Sequence, residues 1–209
     1  MLVQDIIDTA RYSELSSVAV KDNTDAIITF INLGMLELYK RFPLKMKEHV
    51  VAVNDGVGIY SLPSDFMYAL SVYTDMTNPD GPVELSLNDD KADDSIFIPN
   101  HKQVQIDSKV VTDADGNIDN VSIIYVGKPD RYSADDTSSE IDLPDTLVDC
   151  LIHYVGYKGL LGVRSDGQSE NNAHWARFER SCAKAVELGV AYSIDSWRMA
   201  DRLDDRGFA

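Results

Sequence analysis

Cys150 and His153 stand three residues apart in a stretch of helical character. A thiol beside an imidazole is what a cysteine nucleophile needs. Such catalysis also asks for an exposed thiolate, a third group that orients the base and an oxyanion site, and the sequence offers neither of the last two. Leu147, Val148, Leu151, Ile152 and Val155 surround the pair on two sides of the helix, so Cys150 reads as a buried thiol. The histidines His49, His101, His153 and His174 fall in different elements without ligand spacing. Asp113, Asp115, Asn117 and Asp119 alternate as in a calcium loop. Counted from Asp113, however, Ile118 stands where the turn glycine belongs and Ile124 where the bidentate glutamate belongs. Asp115-Gly116 between apolar runs is a hairpin turn instead. There is no glycine-rich phosphate loop, G-x-S-x-G or zinc knuckle. The reading is therefore no enzyme, no metal site and no cofactor.

Recognition chemistry is better supported. Trp197, Met199, Leu203 and Phe208 are spaced among Asp195, Arg198, Asp201, Arg202, Asp204, Asp205 and Arg206. Large apolar side chains in so polar a segment are costly to expose, which predicts that Ser193–Ala209 is a docking tail with these four as its anchors.

The elements that would carry such a tail follow from periodicity. Ile141–Val163 predicts a central helix, with Asp142 as cap and Pro144 in the first turn. Leu147, Leu151, Tyr154 and Val155 form one apolar row, and Val148, Ile152 and Gly159 form a second, so this helix belongs inside a bundle. Leu2–Leu15 predicts a short packing helix. A longer one, capped by Asp22, Asn23 or Thr24, runs to Phe42 with the stripe Ile27, Ile28, Ile31, Met35, Leu38, Tyr39 and Phe42. Lys40, Arg41, Lys45 and Lys47 near its end complement the dipole, and contact with an acidic neighbour is their other use. A last helix opens at Asn171 or Asn172, and Gly159 and Leu160 are expected to face Ala183 and Gly189 across an antiparallel hairpin. Between the helices the period falls to two. His49–Val53, the turn Asn54-Asp55-Gly56 and Val57–Leu62 predict a β-hairpin. Further strands are expected at Phe66–Tyr73, Val83–Leu87, Ile96–Ile98, Val104–Ile106 and Val121–Val126. The fold class is α+β: a bundle of about four helices (residues 1–45 and 127–192), an inserted antiparallel β module (46–126) and an extended C-terminal tail (193–209).

Composition bounds the function. With 19 Lys and Arg against 35 Asp and Glu, the net charge is −16. Nucleic-acid grooves need clustered cations, so this balance argues against a DNA-packaging module, whereas a negative wall lets DNA pass without sticking. No apolar run reaches membrane-spanning length, and Asp5 and Asp8 stand where a signal peptide would be basic, which predicts a chain made and kept in a cytosol. In that compartment Cys150 and Cys182 are free thiols rather than a disulfide.

Several stretches together resemble a known family. They are MLVQDIIDTA followed by TDAIITFINLGMLELYKRFP, the segment YSLPSDFMYALSVY, and VSIIYVGKPDRY leading through DLPDTLVDCLIHYVGYKGLL to the last helix. In this order they resemble the head-to-tail adaptor (connector) proteins of tailed phages, the family that includes the podophage tail tubular protein A and the head-completion proteins. About Thr74–Asn120 carries no part of the resemblance. It implies a virion structural protein assembled in the host cytoplasm. Its copies would form a homo-oligomeric ring, typically a dodecamer, beneath the portal protein. The ring would extend the DNA channel, pass DNA without specific binding, and support a downstream tail or nozzle protein. The docking tail, with Trp197, Met199, Leu203 and Phe208, would then seat in the portal. Alternatives are a neck or tail-completion ring that does not touch the portal and, in another class, a tail-associated hydrolase.

Overall fold

The computed structural model describes residues 1–53, 58–74, 83–92, 95–107, 112–113, 116–117, 120–161 and 168–189, with the backbone alone for 112–113, 116–117 and 168–172. It combines helices with antiparallel sheets, an α+β protein. The chain divides into two compact units, Met1–Leu44 with Pro129–Ala209, and Lys45–Lys128.

The first unit contains α1 (Val3–Tyr12), α2 (Thr24–Arg41), α3 (Asp145–Leu160) and α4 (Gln168–Glu187). The backbone donors at the start of α1 find partners outside the helix. Val3 N donates to Ser139 O and Gln4 N to Thr137 O, while Ile141 N donates to Met1 O. The segment before α3 thus satisfies groups that a helix start leaves orphaned. Asn23 caps α2, its side chain accepting from Ala26 N at 3.0 Å, and Pro43 follows the last residue of the cap region. Asn32 on α2 then fixes the linker, residues 128–144, that leads from β9 into α3: its amide donates to Tyr132 O at 2.8 Å and accepts from Tyr132 N at 2.9 Å.

The central helix departs from the predicted start. Pro144 is its N-cap and Asp142 makes no cap. Instead the buried Tyr39 hydroxyl donates to Asp142 at 3.1 Å, tying α2 to the entry of α3. As its two apolar rows predict, α3 buries Leu147, Val148, Cys150, Leu151, Ile152, Tyr154 and Val155 and leaves Asp145, Thr146 and Asp149 outside. Each large side chain so buried contributes about 1.5–3 kcal/mol. Gly34 of α2 admits Leu151 and Tyr154, because a β-carbon there would lie 2.5 Å from the Leu151 Cδ1.

Two expectations about the last helix fail. It begins at Gln168 rather than at Asn171 or Asn172. Gly159 faces Leu15 and Val20, while Ala183 and Gly189 are exposed. The space freed by Gly159 is filled by the turn after α1, whose buried Leu15 must go somewhere apolar. The helices α3 and α4 are nonetheless antiparallel: Tyr154 meets Phe178 and Tyr157 meets Trp175, so positions rise on one helix as they fall on the other.

The second unit holds a four-stranded antiparallel sheet in the order β1 (Met46–Ala52), β9 (Asn120–Gly127), β3 (Phe66–Thr74), β4 (Glu84–Leu85). A three-stranded sheet pairs β2 (Ile59–Ser61), β6 (Gln103–Ile106) and β5 (Ile96–Asn100). The short ribbon β7 (Thr112–Asp113) and β8 (Gly116–Asn117) closes at Asp113 and Gly116. Val51, Phe66, Val72, Ile96, Val104 and Ile123 belong to their common core. The predicted hairpin of His49–Val53 with Val57–Leu62 is not formed: β1 pairs along seven positions with β9, and β2 pairs with β6. A seven-position ladder satisfies more backbone groups than the three residues of β2 could, so the long partner wins. The predicted turn Asn54-Asp55-Gly56, and Val57 after it, lie outside the described residues.

Candidate functional site

The polar groups of the helical unit converge at Glu14. After α1 ends, Leu15 N donates to Ala10 O and the Leu15 side chain is fully buried, which turns Glu14 inward toward α3 and α4. Its carboxylate receives His153 Nδ1 of α3 at 3.1 Å on one oxygen and His174 Nδ1 of α4 at 2.7 Å on the other. Arg177 approaches the second oxygen at 3.7 Å. Carboxylate oxygens accept, so the hydrogen bond at 3.1 Å places the His153 proton on Nδ1, while His174 Nδ1 meets the second oxygen as a close charge contact rather than a hydrogen bond. Gly156 makes the approach possible, since a β-carbon there would fall 2.9 Å from the Glu14 Cβ and 3.0 Å from the His174 Nδ1. One carboxylate thereby clamps the chain after α1 to both helices of the hairpin. With both imidazoles engaged by one acid, the arrangement is a three-element tie rather than an acid–base pair facing solvent.

A second tie lies at the end of α2. Arg41 donates to both oxygens of Glu179 at 2.8 and 2.9 Å and through Nε to Glu37 at 3.2 Å. Its guanidinium sits 4.6 Å from the Phe178 ring centroid and 5.5 Å from that of Trp175. The bidentate pair with Glu179, ahead of every other influence, raises the Arg41 pKa further above its usual range. Three of the four cations grouped in the sequence are therefore put to separate uses. Arg41 joins α2 to α4, Lys40 pairs with Glu37, and Lys47 pairs with Asp65 in the β unit.

The nucleophile candidate is not assembled. Cys150 is fully buried and its pKa is raised, first by its hydrogen bond to Cys182 and then by burial, while His153 turns to Glu14. Both cysteines are free thiols. Among the described residues no group of three or more His, Cys, Asp or Glu side chains is placed to hold a metal, and no helix is long and apolar enough to cross a membrane. Spacing in the sequence does not reveal Glu14, because its partners lie 139 and 160 residues away. The only signal was a lone acid between the helix-ending Ser13 and the apolar Leu15. The predicted anchors Trp197, Met199, Leu203 and Phe208 lie outside the described residues.

Residues 1–201, all of the β unit and the helical unit up to its last eight residues, match the family model described as SU10 adaptor protein. The chain belongs to this family. No curated protein matches the chain. Membership in the SU10 adaptor family agrees with the resemblance as far as a phage adaptor, and does not extend to tail tubular protein A. It also spans Thr74–Asn120, where the sequence showed no resemblance. The matched region takes in Trp197 and Met199 and stops short of Leu203 and Phe208.

Proposed function

We propose that this SU10 adaptor is a virion structural protein of the head-to-tail junction, akin to tail tubular protein A and the head-completion proteins. Copies form a ring, a dodecamer, beneath the portal; the ring extends the DNA channel and supports a downstream tail protein. The family match over residues 1–201 carries this reading. Three features support it. The helical unit can serve as the ring body, and the β unit is a separate compact module available to a tail component. The net charge of −16 suits a wall along which DNA slides without binding. The role is structural rather than catalytic, in keeping with the burial of Cys150 and the engagement of both nearby imidazoles by Glu14. Trp197, Met199, Leu203 and Phe208 seat the tail in the portal.

Sedimentation velocity tests the proposal, using the full chain alone, mixed with the portal ring of the same phage, and as a chain ending at Tyr192. Co-sedimentation at ring stoichiometry, lost on truncation, is expected. A full-length chain that ignores the portal would show the portal reading to be wrong.

A further inference from the structure

The outward face of α4 is basic in an acidic protein. Arg177, Arg180 and Lys184 are exposed, and Ala173, Ala176 and Ala183 share their stripe at the helical period. Glu187, at the far end, is its one acid among the described side chains. Arg180 and Lys184 have no ion-pair partner among the described residues, and the Arg177 side chain is 56% exposed even beside Glu14. Lys184 could be credited to the helix dipole, but that effect fades beyond the last turn, and Arg177 and Arg180 lie well inside the helix.

The α1 flank of the same unit is the electrostatic opposite. Asp5, Asp8 and Tyr12 fall on one side of α1, and the linker stitched to its first turn adds Asp135 and Glu140. Arg11, the cation of this helix, is already turned to Asp8, Thr24 and the Lys21 carbonyl. Tyr12 is 78% exposed, a large ring left uncovered by the described residues. Two copies of a chain with net charge −16 repel in most orientations, and the α4 stripe is where an acidic flank can approach with attraction.

We propose that the α4 stripe receives the α1 flank of a second copy of this chain, with Tyr12 seated over the small alanine surface beside Arg180 and Lys184. The contact joins unlike faces, so it is heterologous and repeats from copy to copy, as a closed ring requires. It deepens the ring reading and rests on it for closure alone.

Cross-linking tests it. Isotopically light and heavy chains are mixed, with and without the portal ring, and treated with a carbodiimide, which joins lysine to carboxylate only at contact. Mixed-isotope links from Lys184 to Asp5, Asp8, Asp135 or Glu140 are expected. Copy-to-copy links that leave out Lys184, Lys184 linked to portal peptides, or no link between copies would each overturn the proposal. Arg180→Glu with Lys184→Glu should keep the wild-type circular dichroism and melting profile yet weaken association at least about tenfold. Mixing it with a chain carrying Asp5→Lys and Glu140→Lys should restore association. Undiminished association of the α4 variant, or retention of the wild type on DNA at physiological salt that the variant loses, would also overturn it. Copies that cross-link as expected but ignore the portal sink the portal reading and leave this contact standing; portal binding without such links does the reverse.

Discussion

Glu14 holds two imidazoles with one mostly buried carboxylate, so its replacement reports on three elements at once. Glu14→Gln keeps an acceptor for one ring but turns an amide N–H toward the other. Hydrogen bonds to charged groups contribute about 1.5–3 kcal/mol, and the variant should lose about that much stability in denaturant unfolding. Paired with His174→Asn in a double-mutant cycle, the coupling should exceed about 0.5 kcal/mol; simple additivity would mean that the contact at 2.7 Å contributes nothing. Gly156 supplies the steric half of the same site. In most helix interiors Gly→Ala gains about 1 kcal/mol. Here the added methyl meets the Glu14 Cβ, which sits close to the backbone and cannot swing away as a side-chain tip could. Gly156→Ala should therefore lower the melting temperature, and a rise would show that the chain after α1 yields without cost.

At the scale of elements, what the sequence makes legible is what local chemistry decides. The Asn23 cap, the Pro43 stop and the two apolar rows of α3 are set within a few residues, and all are present in the fold. The errors fall where a distant partner decides. Asp142 has the position of a cap, but the Tyr39 hydroxyl, 103 residues away, claims it. The β1 and β2 segments carry the pattern of a hairpin, but β9 offers β1 the longer ladder. Neither partner is visible from spacing.

The same distant contacts set the pH limits. Burial first, then the Asp142 carboxylate, keeps the Tyr39 hydroxyl protonated well above its ordinary range, and burial pushes Tyr154 up to about 12. Unfolded tyrosine ionises near 10. The folded pKa values are raised, so this stability is whole below about pH 10 and is lost as pH rises toward 12 and beyond. Tyr39→Phe should cost about 1 kcal/mol at neutral pH yet move the alkaline transition upward, followed by circular dichroism and tyrosinate absorbance. An unmoved transition would mean that Tyr39 ionises as freely as in the unfolded chain. The β unit leans the other way. Lys47, ahead of Tyr125, holds the Asp65 carboxyl below its usual range, a contribution present above about pH 4 and lost as pH falls further. Lys47→Met should be less stable than wild type at neutral pH and equal to it near pH 2. A deficit that persists in acid would point to lost packing of the lysine stem instead.

For the whole molecule, net charge and the α4 stripe act over different ranges, and salt separates them. Repulsion between copies, each at −16, is felt across the whole approach. Attraction between Arg180, Lys184 and the α1 acids is a contact effect over a few ångströms. The screening length is about 30 Å at 0.01 M salt, about 8 Å at 0.15 M and about 3 Å at 1 M. Moderate salt thus removes most of the repulsion while leaving contact pairs largely intact, and only high salt weakens both. Association of the wild-type chain should rise from low to physiological salt and fall again toward 1 M. The Arg180→Glu, Lys184→Glu chain, left with repulsion alone, should gain association steadily over the same range. Sedimentation velocity across a salt series separates the two curves. A steady rise for both would place the copy-to-copy contact on apolar surface and remove the charged stripe from the assembly.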